Sequence, residues 1–214
     1  QTGKSLHAPI GLFLGAWLLS GAFADLLLRA VRANDLSRLL RIPRADWGKL
    51  LAHSGLGVIM MAIAGLLAWS KEDIRVVDME ETWSLGAYEI TLKDVRRYVG
   101  PNYQANIGDV ELRKNGRLIA TVQPEKRFYP IAKMQTTEAG IDYRFFRDVY
   151  IVLGEPHEGG GWTVRSYIKP LASWIWGGAV LMAMGGLLSL SDRRLRIAAA
   201  ARKTTLHSQA RPAE

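Results

Sequence analysis

Three long apolar runs, at residues 8–28, 47–69 and 171–190, constrain this chain more than any other feature. Each is long enough to cross the hydrocarbon of a bilayer, which takes about 20 residues at helical rise. The third holds no charged residue, and Ile175, Val180, Leu181, Met182, Met184, Leu187 and Leu188 would lie on all sides of a helix. A core helix of a soluble protein keeps a polar stripe. The runs therefore read as three transmembrane helices, and the polar stretch between the second and third as a domain outside the membrane.

The net charge of +8 is informative through its location. Arg29, Arg32, Arg38, Arg41 and Arg44 stand between the first two runs, with Lys49 just inside the second, against Asp35 and Asp46 alone, and Arg193, Arg194, Arg196, Arg202, Lys203 and Arg211 follow the third against Asp192 and Glu214. Residues 71–169 are neutral, with 15 basic and 15 acidic side chains. Basic excess beside membrane ends on one side is the positive-inside pattern, so the loop 29–46 and the tail are expected in the cytoplasm and the N-terminus and middle domain outside. Charge placed this way has no need of nucleic acid as a partner; its partner is membrane lipid. A start at Gln1 with no basic n-region or cleavage motif gives no signal peptide, and the chain reads as the last part of a longer polytopic protein or a piece of a split one. The absence of cysteine excludes disulfide stapling and thiol chemistry within it.

Gly11 and Gly15 in the first run, and Ala179 and Ala183 with Gly178 and Gly185 in the third, are small-residue patterns that let helix backbones approach in lipid. They call for more neighbouring helices than three spans provide. Trp47 and Trp69 bracket the second run and Trp174 and Trp176 open the third, as interfacial anchors or, less simply, ligand contacts. The middle domain alternates as strands at Tyr88-Glu-Ile-Thr-Leu92 and Val110-Glu-Leu-Arg113, then at Leu118, Ala120 and Val122. Asn115-Gly116 between two of these signals a type I′ hairpin, since both central residues need positive φ. Further strands fit 148–153 and 162–168, and a short helix is predicted at 138–146. About six strands in roughly 100 residues indicate a small barrel or sandwich.

Of four histidines, His207 and His157 sit in polar, solvated surroundings and His7 at the outer lip of the first span. His53 differs, because it lies inside the second span, about 9 Å past Trp47 at 1.5 Å per residue. An unpaired imidazole is costly there and faces a bundle interior or a cofactor. Ser54, Gly55 and, one turn on, Gly57 leave the backbone thinly covered, so a flat macrocycle is able to approach. Haem ligation and a hydrogen bond to a neighbouring helix both remain open from these residues alone. Asp25 with Arg29 four residues later makes an interfacial ion pair, and Lys49 can snorkel to the same surface. Lys126-Arg127-Phe128-Tyr129-Pro130 sets cations beside aromatics, either a solvated strand end or a site for propionates or an anionic partner. No motif supports nucleotide, zinc, redox-thiol or serine chemistry.

Trp47-Gly-Lys-Leu-Leu-Ala-His53-Ser-Gly-Leu-Gly-Val58, Gly100-Pro-Asn-Tyr103, Pro124-Glu-Lys-Arg-Phe-Tyr-Pro130, Thr136-Thr-Glu-Ala139, Arg147-Asp-Val-Tyr150, Leu153-Gly-Glu-Pro156, Lys169-Pro170, Trp174-Ile-Trp176 and Gly185-Gly-Leu-Leu-Ser-Leu-Ser-Asp-Arg-Arg194 follow one another in order. Together they resemble the C-terminal part of the CcmF family, the haem lyase component of system I cytochrome c maturation. The resemblance implies a bacterial inner-membrane protein, multi-pass, whose N-terminus and middle domain are periplasmic and whose C-terminus is cytoplasmic. The fold class it implies is membrane α-helical with an inserted all-β periplasmic domain: residues 1–70 two spans, 71–170 the domain, 171–214 the third span and basic tail. It further implies haem lyase activity, with haem received as substrate from a periplasmic haem chaperone and attached to apocytochrome c alongside thiol-handling maturation proteins. His53 matches a family histidine that is an axial ligand of a membrane b-type haem, with Gly57 allowing its close approach. The family's tryptophan-rich haem-handling segment, its periplasmic histidines and the other membrane haem ligand are not in this chain, and neither His7 nor His157 lies in a matching motif. Activity thus requires the remaining part of the lyase. Alternatives are a membrane-anchored docking scaffold without cofactor, and the related lyase that serves nitrite reductase.

Overall fold

The computed structural model describes residues 7–32 and 42–192. The tail, with His207 and the helical extension expected at 197–201, and most of the basic loop lie outside the described residues. The chain forms two compact units, a helical one of residues 1–64 and 174–214 and a second of residues 65–173.

The helices are α1 (His7–Arg32), α2 (Arg44–Trp69) and α3 (Ala172–Leu190), all long and apolar enough to cross a membrane. With lipid on the outside there is no hydrophobic force to press helices together, so they hold where small residues let backbones meet. Gly15 and Gly57 do this reciprocally: a Cβ on Gly15 would lie 2.8 Å from the Gly57 carbonyl oxygen, and one on Gly57 2.9 Å from that of Gly15. On another face of α2, a Cβ on Gly55 would come within 2.5 Å of the Gly178 carbonyl oxygen, and one on Gly48 as close to that of Gly185. The buried residues of α3 are these two glycines, one heptad apart. At the start of α2 the Ala45 N–H donates to Asp192 Oδ2 at 3.1 Å. That buried carboxylate satisfies an orphan donor and sits at the positive end of the helix dipole.

The second unit holds two antiparallel sheets. One orders β1 (Lys71–Val77), β10 (Trp162–Pro170), β9 (Arg147–Pro156) and β8 (Gly140–Arg144). The other orders β2 (Thr82–Leu85), β3 (Tyr88–Val99), β4 (Gln104–Lys114), β6 (Glu125–Tyr129) and β7 (Met134–Glu138), while β5 (Arg117–Val122) pairs the second half of β4. This is a sandwich, one of the two architectures expected. Ile90, Leu92, Val110 and Leu112 of one sheet and Val149, Ile151, Leu153 and Val164 of the other belong to one core cluster, none more than 1% exposed. Trp83 Nε1–H donates to Ser166 Oγ at 3.2 Å, a buried bond between the sheets. Asn115 and Gly116 have φ of 52° and 72°, as the hairpin between β4 and β5 requires.

Two expectations are corrected. The described residues form ten strands rather than about six; β7, for one, carries polar side chains on both faces and shows no alternation to read. The helix predicted at 138–146 is absent, and β8 stands there instead. Its inward positions are Gly140 and Asp142, not apolar residues. Gly140 packs on Pro124, where a Cβ would come within 2.9 Å, and the buried Asp142 is paired with Arg147 at 2.6 Å.

Truncating the fully buried Ile151 to Ala should cost about 2–5 kcal/mol, whereas Ile131→Ala, at a 94% exposed position, should stay within about 0.5 kcal/mol. Urea titration of the detergent-solubilised chain, followed by far-UV circular dichroism, checks both.

Candidate functional site

His53 lies in the third turn of α2, and its face is set by helical periodicity: Asp46, Lys49, Leu50 and His53 stand at i, i+3, i+4 and i+7. Opposite them α1 brings Trp17, Gly21 and Asp25, again four residues apart. Between the two rows is a cleft of about 200 Å³. Lys49 Nζ reaches Asp25 Oδ2 at 3.5 Å across it.

The imidazole is exposed among the described residues. Its Nδ1–H donates to the Lys49 carbonyl oxygen at 2.9 Å; a carbonyl only accepts, so Nδ1 carries the proton. In the neutral ring Nε2 is then the nitrogen that carries the lone pair. A backbone carbonyl that fixes the tautomer and turns the ring is the usual outer support of a metal-bound histidine. A single imidazole nitrogen is a donor that would suit haem iron. Among the described residues no cluster of three or more His, Cys, Asp or Glu stands together.

A family model described as the CcmF C-terminal beta-sandwich matches residues 68–170. Cytochrome c-type biogenesis protein ccl1 of Rhodobacter capsulatus is 51% identical over 205 residues, which is 96% of this chain and 31% of that protein. The chain belongs to the CcmF family. Cytochrome c-type biogenesis protein CcmF of Pseudomonas aeruginosa is 37% identical over 191 residues, 89% of this chain and 29% of its own length. A solved structure titled Cytochrome c Heme Lyase CcmF has the same fold at a TM-score of 0.69 and 21% identity, covering 88% of this chain and 31% of its own. The chain thus spans about three tenths of the length of the relatives it matches.

Within this CcmF-family chain the other candidates are dispersed. His157 shapes its own loop: Nδ1 accepts from the Gly159 N–H at 3.1 Å, and its backbone N–H donates to the Gly161 carbonyl at 3.0 Å. His7 is exposed at the first turn of α1. Asp25 meets Lys49 across the helices, and the ion pair expected with Arg29 lies outside the described side chains. The cations of the 126–130 segment are committed within the domain. Lys126 Nζ lies 2.9 Å from Glu155 and Arg127 Nε 2.7 Å from Glu125, while the Arg127 guanidinium lies 4.7 Å from the Tyr103 ring centroid. The hydrogen bond from Arg127 to Glu125, then that to Tyr129, pushes its pKa above the usual arginine value.

At Gly57 the structure shows a close helix contact. The space over it is filled by α1, with the Gly15 carbonyl oxygen and Leu19 each 2.9 Å from where its Cβ would be. Its small size serves the helix crossing. The open position beside His53 is Gly21, where a Cβ would meet nothing within 4 Å. The spacing Trp17, Gly21, Asp25 is the signal that points to it, once α1 and α2 are known to be adjacent.

Replacing Gly57 by Leu should force α1 and α2 apart. In a Gly11→Cys, Ala64→Cys background, made clean by the lack of native cysteine, mild oxidation should close a disulfide. Adding Gly57→Leu should slow that closure at least tenfold, measured by alkylation of the remaining thiols.

Proposed function

We propose that this chain is the C-terminal part of a cytochrome c haem lyase, and that His53 gives one axial nitrogen to a b-type haem in the membrane. The observation that carries the reading is the Nδ1–H bond to the Lys49 carbonyl at 2.9 Å, in a helix apolar enough to span a bilayer. It leaves Nε2 basic and oriented at a depth where an idle imidazole is costly. The open position at Gly21 gives a flat ligand room beside the ring, and the Asp25 and Lys49 pair closes the polar end of the cleft.

When bound, a b-type haem supplies one-electron redox chemistry. The residues here do more modest work. Lys49 holds the tautomer of His53 through its carbonyl, Gly15 and Gly57 fix the distance between α1 and α2, and Trp17 with Leu18 and Leu50 lines the apolar part of the cleft. A further ligand for such a haem would come from the remaining part of the lyase. In this reading the β-sandwich is periplasmic, on the side where a haem chaperone delivers the haem that is to be attached to apocytochrome c.

Assembling the complex with His53→Ala should abolish the reduced-minus-oxidised α and Soret bands of a b-type haem while leaving the chain in the membrane. Gly21→Phe, which occupies the cleft without touching a ligand, should lower haem content at least fivefold by pyridine haemochrome assay. Unchanged bands in His53→Ala would remove the assignment.

A further inference from the structure

The β8–β9 turn, residues 145–146, carries two phenylalanines that the preceding reading does not use. Phe145 and Phe146 are 70% and 64% exposed, with rings edge to face at 4.8 Å between centroids. Tyr143, on the strand leading into the turn, is 65% exposed. An aromatic group of this size in contact with water is unfavourable unless something covers it.

Where the turn sits identifies the cover. The Phe146 carbonyl oxygen accepts from the Leu171 N–H at 3.0 Å, and Leu171 is the one residue between the end of β10 and the start of α3. Pro170 is in register with Arg147. Ser173 Oγ, in the first turn of α3, donates to the buried Asp148 at 3.0 Å. The turn is therefore held, by three separate links, at the level where the chain enters α3. A residue hydrogen-bonded to the start of a helix that spans a bilayer lies close to the bilayer surface. Lys114, Arg144 and Arg147 line the same recess as the two phenylalanines, and rings flanked by cations are the composition that headgroup regions favour. Asp142 pairs both arginines, at 3.1 and 2.6 Å, so apolar insertion rather than net charge is the main attraction.

We propose that the β8–β9 turn is a membrane-docking element, in which Phe145 and Phe146 enter the headgroup region of the bilayer that α3 crosses, with Lys114 and the arginines at the level of the lipid phosphates. The sandwich is then attached to the lipid surface at a point of its own, beyond its two covalent connections to helices. The proposal rests on α3 being a span, and not on haem binding.

The absence of native cysteine permits single spin labels. Labels at Phe145→Cys, Phe146→Cys, the exposed Ile131→Cys in the β6–β7 turn and Val180→Cys on α3 are placed in the full chain, in vesicles of phosphatidylcholine and phosphatidylglycerol. Collision with oxygen, which concentrates in lipid, is compared by power saturation with collision with a water-soluble nickel chelate. Labels at 145 and 146 should show an oxygen-to-nickel ratio at least threefold above that at 131 and approaching that at 180. A ratio equal to that at 131, meaning water, or shielding from both reagents, meaning protein cover, would overturn the proposal. Nickel access at 180 would overturn it too, by removing the span on which it rests. Circular dichroism of each labelled chain keeps misfolding separate from these outcomes.

Discussion

Inside a bilayer, water is not available to satisfy a backbone and oil does not drive helices together, so everything in the helical unit depends on backbone meeting backbone at glycine. α2 is the member that meets both others, through Gly57 on Gly15 and through Gly55 and Gly48 on Gly178 and Gly185. The face of α2 that meets α1 at Gly57 continues one turn back to His53 and then to Lys49 and Asp46, which line the cleft beside α1. The geometry of His53 is thus a by-product of where the glycines are. Its tautomer is set within its own helix, by the carbonyl one turn back, and needs nothing from a neighbour.

The sandwich rests on a different balance of forces. Its core is built from aliphatic side chains of two sheets that expel water, so apolar burial does the work that glycine contact does in the helices. Several polar residues are buried there with partners. Trp83 and Ser166 bond one another, and Asp142 and Asp148 are buried with Arg147 and Ser173 as partners. The bond from Ser173 to Asp148 joins the residues just after β10 to strand β9, and with the Leu171 to Phe146 bond it makes the end of β10 a doubly tied corner.

What is legible before the fold is known depends on whether one residue or an arrangement of residues carries the information. The three spans are legible because length and apolarity are properties of a segment. The hairpin at Asn115-Gly116 is legible because positive φ is a property of those two residues. Strand β8 passes for a helix because its inward positions, Gly140 and Asp142, look polar or neutral unless Pro124 and Arg147 are known to face them. Gly57 reads as room for a ligand because nothing in the sequence says that α1 already occupies that room.

The sequence by itself determined the membrane class, the existence of a β domain and the singling out of His53, since burial cost and periodicity act along one chain segment at a time. Family membership was written there too, in motifs spread from one end to the other. Only the tertiary structure decided that Gly21, not Gly57, is open beside the imidazole, that Asp25 reaches Lys49, and that Phe146 is bonded to the residue before α3. Each of those facts joins positions at least 24 residues apart, and which distant residues meet is fixed by helix crossing and strand register, which no local pattern encodes.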